Sequence, residues 1–149
     1  MTWATIRPEV KATLAAVVAP AVVHDYQRYT HDMSQFLALF KTSAGVISGW
    51  IVTREGVGET DADHSTNDTQ HRIKIRGYYG LKDADASELV FQDLVDAVVA
   101  AFRSNYQLNG AANHTTPMQA PVIDLRMFGA VLCHYCELTM TAEEYNAWG

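Results

Sequence analysis

Apolar residues recur along this chain with two different periods, and the changes of period mark its elements. Between residues 5 and 18, Ile6, Val10, Leu14 and Val17 follow at spacings of three and four, with Arg7 and Lys11 off the stripe. That is the period of a helix with one buried face. Pro8 fits the first turn of such a helix and Pro20 ends it. The stretch "HDYQRYTHD" (24–32) is polar, aromatic and without period, as expected of a loop. "QFLALFK" (35–41) reads two ways. Asp32 and Gln35 could form a capping box for a short helix. The shortness of the run, and the "TSAG" and "VISGWIVTR" after it, favour a hairpin with strands at 36–41 and 46–54. A third strand follows in "HRIKIRGYY" (71–79), where Arg72, Lys74 and Arg76 alternate with His71, Ile73 and Ile75.

Residues 85–104 carry the strongest helical pattern. Asp85 is placed to cap it, Glu88 to complete a capping box, and Phe91, Leu94, Val95, Val98 and Phe102 to form the buried stripe. Gln92, Asp93, Asp96 and Arg103 fall on the wet side. "NGAANHTTPMQAP" is a polar loop, and "VIDLRMF" with "AVLCHYCELTM" gives two strands, or one long strand bent at Gly129. The expected architecture is a single α+β domain over residues 1–149. Its order is helix, three strands, helix, two strands, with two helices packed on a mostly antiparallel sheet.

Composition narrows the function classes. Eleven basic against 17 acidic residues leave a net charge of −6, which argues against a chain that wraps nucleic acid by neutralising phosphates. Cys133 and Cys136, the two cysteines, are too close on an extended segment to build a disulfide framework and suit a reducing compartment. "KATLAAVVAPAVV" imitates a secretory signal, but Glu9 among the basic residues, Pro20 within the run and the helical period favour a mature helix. No apolar run reaches the ~18 residues of a membrane span.

Candidate chemistry concentrates in "GVGETDADHSTNDTQH" (56–71), a polar connection between the second and third strands. As a calcium loop starting at Asp61 it fails, since Thr66 stands where the turn glycine should be and Arg72 where the bidentate glutamate should be. As a zinc site, His64 and His71 lack further ligands at a usual spacing. No metal or cofactor is expected. "CHYC" resembles half a zinc knuckle, yet on a strand Cys133 and Cys136 point to opposite faces, and Cys136 shares its side with His134, Leu138 and Met140 as a core residue. "RGYYG" departs from the RNA-recognition consensus after three residues. No nucleophile elbow, phosphate loop or His-Glu-x-x-His is present, so no catalytic residue is assigned and an enzyme is not expected.

From residue 3 to 141 the chain resembles bacteriophage and prophage tail terminator (tail completion) proteins. The likeness lies in the N-terminal amphipathic helix, "VHDYQRYT", "FLALFK", "GWIVTREG", a polar hairpin tip, "RIKIRGYYGL" running into "DADASELVFQDLVDAVVAAF", and "RMFGAVLCHYCELTM". The resemblance implies a virion protein, assembled in the host cytoplasm. It would form a six-membered ring at the head-proximal end of the tail tube, stop tube growth and meet the head–tail connector or stopper. DNA would pass through its lumen without specific binding, and no catalysis, cofactor or membrane would be involved. On that reading residues 55–71 are a mobile acidic hairpin loop that touches the tube or lines the lumen, with Glu59, Asp61, Asp63, His64 and Asp68 as its contact residues. A closed ring needs two different complementary surfaces per subunit. Arg72, Lys74 and Arg76 against Asp93 and Asp96 are the expected pair. The rival readings are another neck or minor tail adaptor, or a small-ligand-binding α+β domain with a pocket near Trp50, Tyr78, Tyr79 and Tyr135.

Overall fold

The computed structural model describes residues 2–30, 33–61, 63 and 66–147. Helix α1 (Trp3–Val18) begins two residues before the expected range 5–18, because the Thr5 hydroxyl accepts the N–H of Thr2 at 2.9 Å and closes the first turn. Ile6, Val10, Leu14 and Val18 are buried, while Pro8 falls inside the helix. Strand β1 (Val22–His24) follows at once. A helical segment, α2 (Met33–Phe36), continues into a 3-10 turn at Leu37–Phe40. Two long strands, β2 (Ser48–Asp61) and β3 (Thr66–Gly80), lead to α3 (Ser87–Ser104), and then come β4 (His114–Thr115), β5 (Gln119–Phe128) and β6 (Val131–Ala147).

One six-stranded sheet results, in the order β1-β2-β3-β6-β4, with β5 also paired to β6. Strand β1 runs parallel to β2, with Val22 opposite Gly49 and His24 opposite Ile51; the other pairings are antiparallel. Strands β3 and β6 stay in register from Thr66↔Ala147 to Gly80↔Cys133 and form the spine of the domain.

The expected order of helix, three strands, helix, two strands on a mostly antiparallel sheet is therefore corrected to a six-stranded mixed sheet. Residues 36–41, expected as a strand, are largely helical, because Phe36, Leu37 and Phe40 carry the apolar contacts at helical rather than alternating spacing. Asp32, half of the alternative capping box, lies outside the described residues. Strand β1 is only three residues long, and its valines follow directly on the apolar stripe of α1, which hides it. Asp85 does not cap α3: it sits in a 3-10 turn at Asp83–Asp85, and the helix starts after Ala86. Gly129, expected at a bend, supplies a positive φ of 64° in a two-residue turn that separates β5 from β6.

Each face of the sheet has its own core. On one face α1 and α3 cover Trp50, Val52, Ile73, Ile75, Cys136 and Leu138. The side chains of the flanking strands close over Gly77 there: a Cβ on it would lie 2.5 Å from the Trp50 ring and 2.8 Å from Cys136 Sγ. On the other face the 33–40 segment covers Ile51, Tyr78, Cys133 and Tyr135, with Phe128 of β5 closing the side. Cys133 and Cys136 thus do point to opposite faces. Burial pushes the Cys136 thiol up to about 12 and raises Cys133 as well, so neither is a reactive thiolate. No helix among the described residues is long and apolar enough to cross a membrane.

Candidate functional site

Beyond the two helices β2 and β3 continue as a hairpin, and most of the stretch expected as a loop (55–71) is strand. A bulge between Arg54 and Gly56 sets its faces. Arg54 stays on the helix side, Glu55 turns to the opposite side, and Val57, Glu59 and Asp61 return to the helix side opposite His71, Thr69 and Asn67. Glu59 and Asp61 are exposed near the tip, and Asp68 is half-buried on β3. Asp63, in the connection, accepts the N–H of Thr66 at 2.9 Å and its hydroxyl at 3.1 Å. His64 lies outside the described residues. Among the described residues no group of three or more His, Cys, Asp or Glu could hold a metal.

The base of this hairpin is polar but buried. His71 is 3% exposed, its Nε2 2.9 Å from Glu144 Oε1 and its Nδ1 3.3 Å from Arg54 Nη1. A guanidinium only donates, so Nδ1 accepts and Nε2 carries the proton that Glu144 receives. Trp3 stacks on His71 at 6.4 Å and takes Arg54 over its ring, closing the cluster from the α1 side. Asn146 Nδ2 donates to Thr69 Oγ1 at 2.9 Å one step further out. These contacts fasten the hairpin to the domain.

The basic row Arg72, Lys74 and Arg76 lies on the face away from α1 and α3. Lys74 Nζ is 3.5 Å from Glu55 and 3.4 Å from Glu137, and Arg76 donates to Glu55 at 3.1 Å. Partial burial works to raise the Glu137 carboxyl; the Tyr135 hydroxyl, donating at 2.8 Å, and Lys74 outweigh it and hold the group below its usual range. Asp93 and Asp96 are exposed on α3, on the other side of the sheet. Two of the three cations already have carboxylate partners within the chain.

Sequence reading missed a concavity of about 590 Å3 between the first turn of α3 and β5. Ile123, Leu125 and Met127 point to the helix-bearing side of the sheet, where no helix covers them, and are 41%, 43% and 60% exposed. Leu89 (63% exposed) faces them from α3, and Asp83 and Glu88 add carboxylates to the lining; the Asp124 side chain alternates to the other face, where it pairs with Arg126 at 3.2 Å. At the floor Ser87 Oγ lies 2.8 Å from His134 Nε2 and accepts the N–H of Lys82 at 2.9 Å. Ala86, held in the left-handed region (φ 51°, ψ 48°) at a cost of about 1–3 kcal/mol, turns the chain so that Ser87 points inward. Burial lowers the His134 pKa, with Glu88 pulling weakly the other way, so the imidazole is neutral and takes the Ser87 hydroxyl proton. The pair has the spacing of a nucleophile and its base. With both partners buried (3% and 6% exposed), it acts as a pin between α3 and β6.

No protein-family model matches this chain, and no curated protein matches it.

The aromatic pocket expected near Trp50, Tyr78, Tyr79 and Tyr135 is absent among the described residues: Trp50, Tyr78 and Tyr135 are core side chains divided between the two faces. The α3–β5 groove had a partial sequence signal. "VIDLRMF" alternates apolar with charged residues as a half-buried strand does, but nothing local tells which molecule buries the apolar half.

Proposed function

We propose that this protein is a structural subunit of a bacteriophage or prophage tail, the tail terminator. It forms a ring, six-fold in the family it resembles, at the head-proximal end of the tube, stops tube growth and meets the head connector. The resemblance from residue 3 to 141 supplies the family. The observation that carries the reading is the uncovered apolar row Ile123, Leu125 and Met127, the first two of which face Leu89 across the groove. Large apolar side chains gathered on one surface mark contact with another protein. The acidic hairpin end, with Glu59 and Asp61 exposed, suits a wall past which DNA slides, because like charge keeps phosphate from adhering. The protein would act in the virion without catalysis, cofactor or membrane.

Electron microscopy of a lysate from a phage or prophage with this gene disrupted tests the proposal. Overlong or headless tails beside filled heads are expected. Normal infectious particles would overturn it, and tails of normal length that fail to join heads would point instead to another neck adaptor.

A further inference from the structure

We infer that the groove between α3 and β5 receives the Tyr26–Tyr29 loop of a second copy of this chain, so that subunits join head to tail. The inference rests on the ring reading and gives it residues. The sheet order places β1, and the loop that leaves it, at one edge, and β5 at the other. Two different patches on opposite edges are what a heterologous contact requires, whereas an isologous dimer needs one patch that matches itself.

The loop is shaped as a plug. Tyr29 is 83% exposed and Tyr26 56%, and Arg28 between them lies over the Tyr26 ring at 5.5 Å while donating to His24 Nδ1 at 3.2 Å. Arg28 is thus held in place and presented with the tyrosines. Tyrosine and arginine are the side chains that most often anchor protein interfaces. The groove is the matching socket. Leu89, Ile123 and Leu125 offer apolar walls, and Asp83 and Glu88 supply negative charge, with no Lys or Arg among the described lining residues. The apolar walls take the rings and the carboxylates take the guanidinium. Two tyrosines bury roughly 300–500 Å2, the core of a standard interface of about 1,200–2,000 Å2.

Cysteine pairs test this in the full chain. Cys133 and Cys136 are fully buried and stay out of the reaction. Tyr29→Cys and Leu125→Cys proteins, mixed and mildly oxidised, should give a covalent dimer that neither gives alone, and the double variant should give a ladder ending in a closed ring. A dimer from either single variant alone, or no dimer in the mixture, overturns the pairing. As a second readout, Arg28→Glu should weaken association at least tenfold by native mass spectrometry, with recovery when Glu88→Arg is added; unchanged association overturns it too. The two readings fail separately. Overlong or headless tails in the disrupted lysate with no mixed crosslink keep the terminator and discard this contact. Mixed crosslinks beside normal particles keep the contact and discard the terminator.

Discussion

Cys136 on β6 and Ile123 on β5 face each other across one ladder and point to the same side of the sheet, and so do His134 and Leu125. Cys136 and Leu138 are fully buried, yet Ile123 and Leu125 are 41% and 43% exposed. Strand alternation is the same in both stretches; the difference is the roof. Helices α1 and α3 cover β2, β3 and β6, and their layer stops short of β5. An apolar strand face therefore reports that something covers it and leaves open whether the cover is the chain's own helix or another molecule.

The sharpest way to break this comparison is to cut one side chain under the roof. Leu138→Ala should cost about 2–5 kcal/mol, read as a lower urea midpoint, since Leu138 is fully buried in the helix-side core. A loss below about 1 kcal/mol would mean the roof is loosely packed. Next is the pin at the roof's margin. Ser87→Ala leaves the Lys82 N–H and His134 Nε2 without their partner and should cost about 1–3 kcal/mol by the same measurement.

The same pin gives a pH dependence. Burial holds the folded His134 pKa below its ordinary 6.5, so near that pH the unfolded chain binds more protons than the folded one. This contribution is complete above about pH 6.5 and is lost as the pH falls towards the lowered folded value. A thermal midpoint that drops on acidification through this window, with a shallower drop in His134→Gln, is the expected result. The smallest effect belongs to the uncovered side: Leu125→Ala should change the stability of the isolated chain by less than about 0.5 kcal/mol while weakening self-association. A large loss of monomer stability would show that Leu125 is covered within its own chain.

Legibility followed the same division. The stripe Phe91, Val95, Val98 and Phe102 was readable because an amphipathic helix repeats its signal over several turns. The opposed faces of Cys133 and Cys136 followed from the two-residue period of a strand. Elements with one turn or less of signal were misread: residues 33–40, the three-residue β1, and the start of α3, where the carboxylate of Asp85 mimicked a cap. Most of the acidic stretch looked like a loop because its polar side chains pack against other polar side chains. Thr69 is buried beside Glu59 and Asn146, and no apolar alternation betrays the strand. The groove, finally, is made by residues 83–92 and 123–134, which only the folded sheet brings together.

The bulge at Glu55 has a consequence for how this gene can change. The bulge absorbs its extra residue, so Glu55 and Gly56 both face away from the helices and every later side chain of β2 keeps the side a regular ladder would give it. Loss of the Glu55 codon would leave Val57, Glu59 and Asp61 on the helix side and remove the carboxylate that Lys74 and Arg76 share, whereas a codon lost elsewhere between Trp50 and Asp61 would flip the residues on one side of it. Codons can be gained or lost in the connection after Asp61 without such an inversion, because it follows the last paired residue of β2. Related sequences should therefore vary in length there and at Glu55, and otherwise hold their spacing between Trp50 and Asp61.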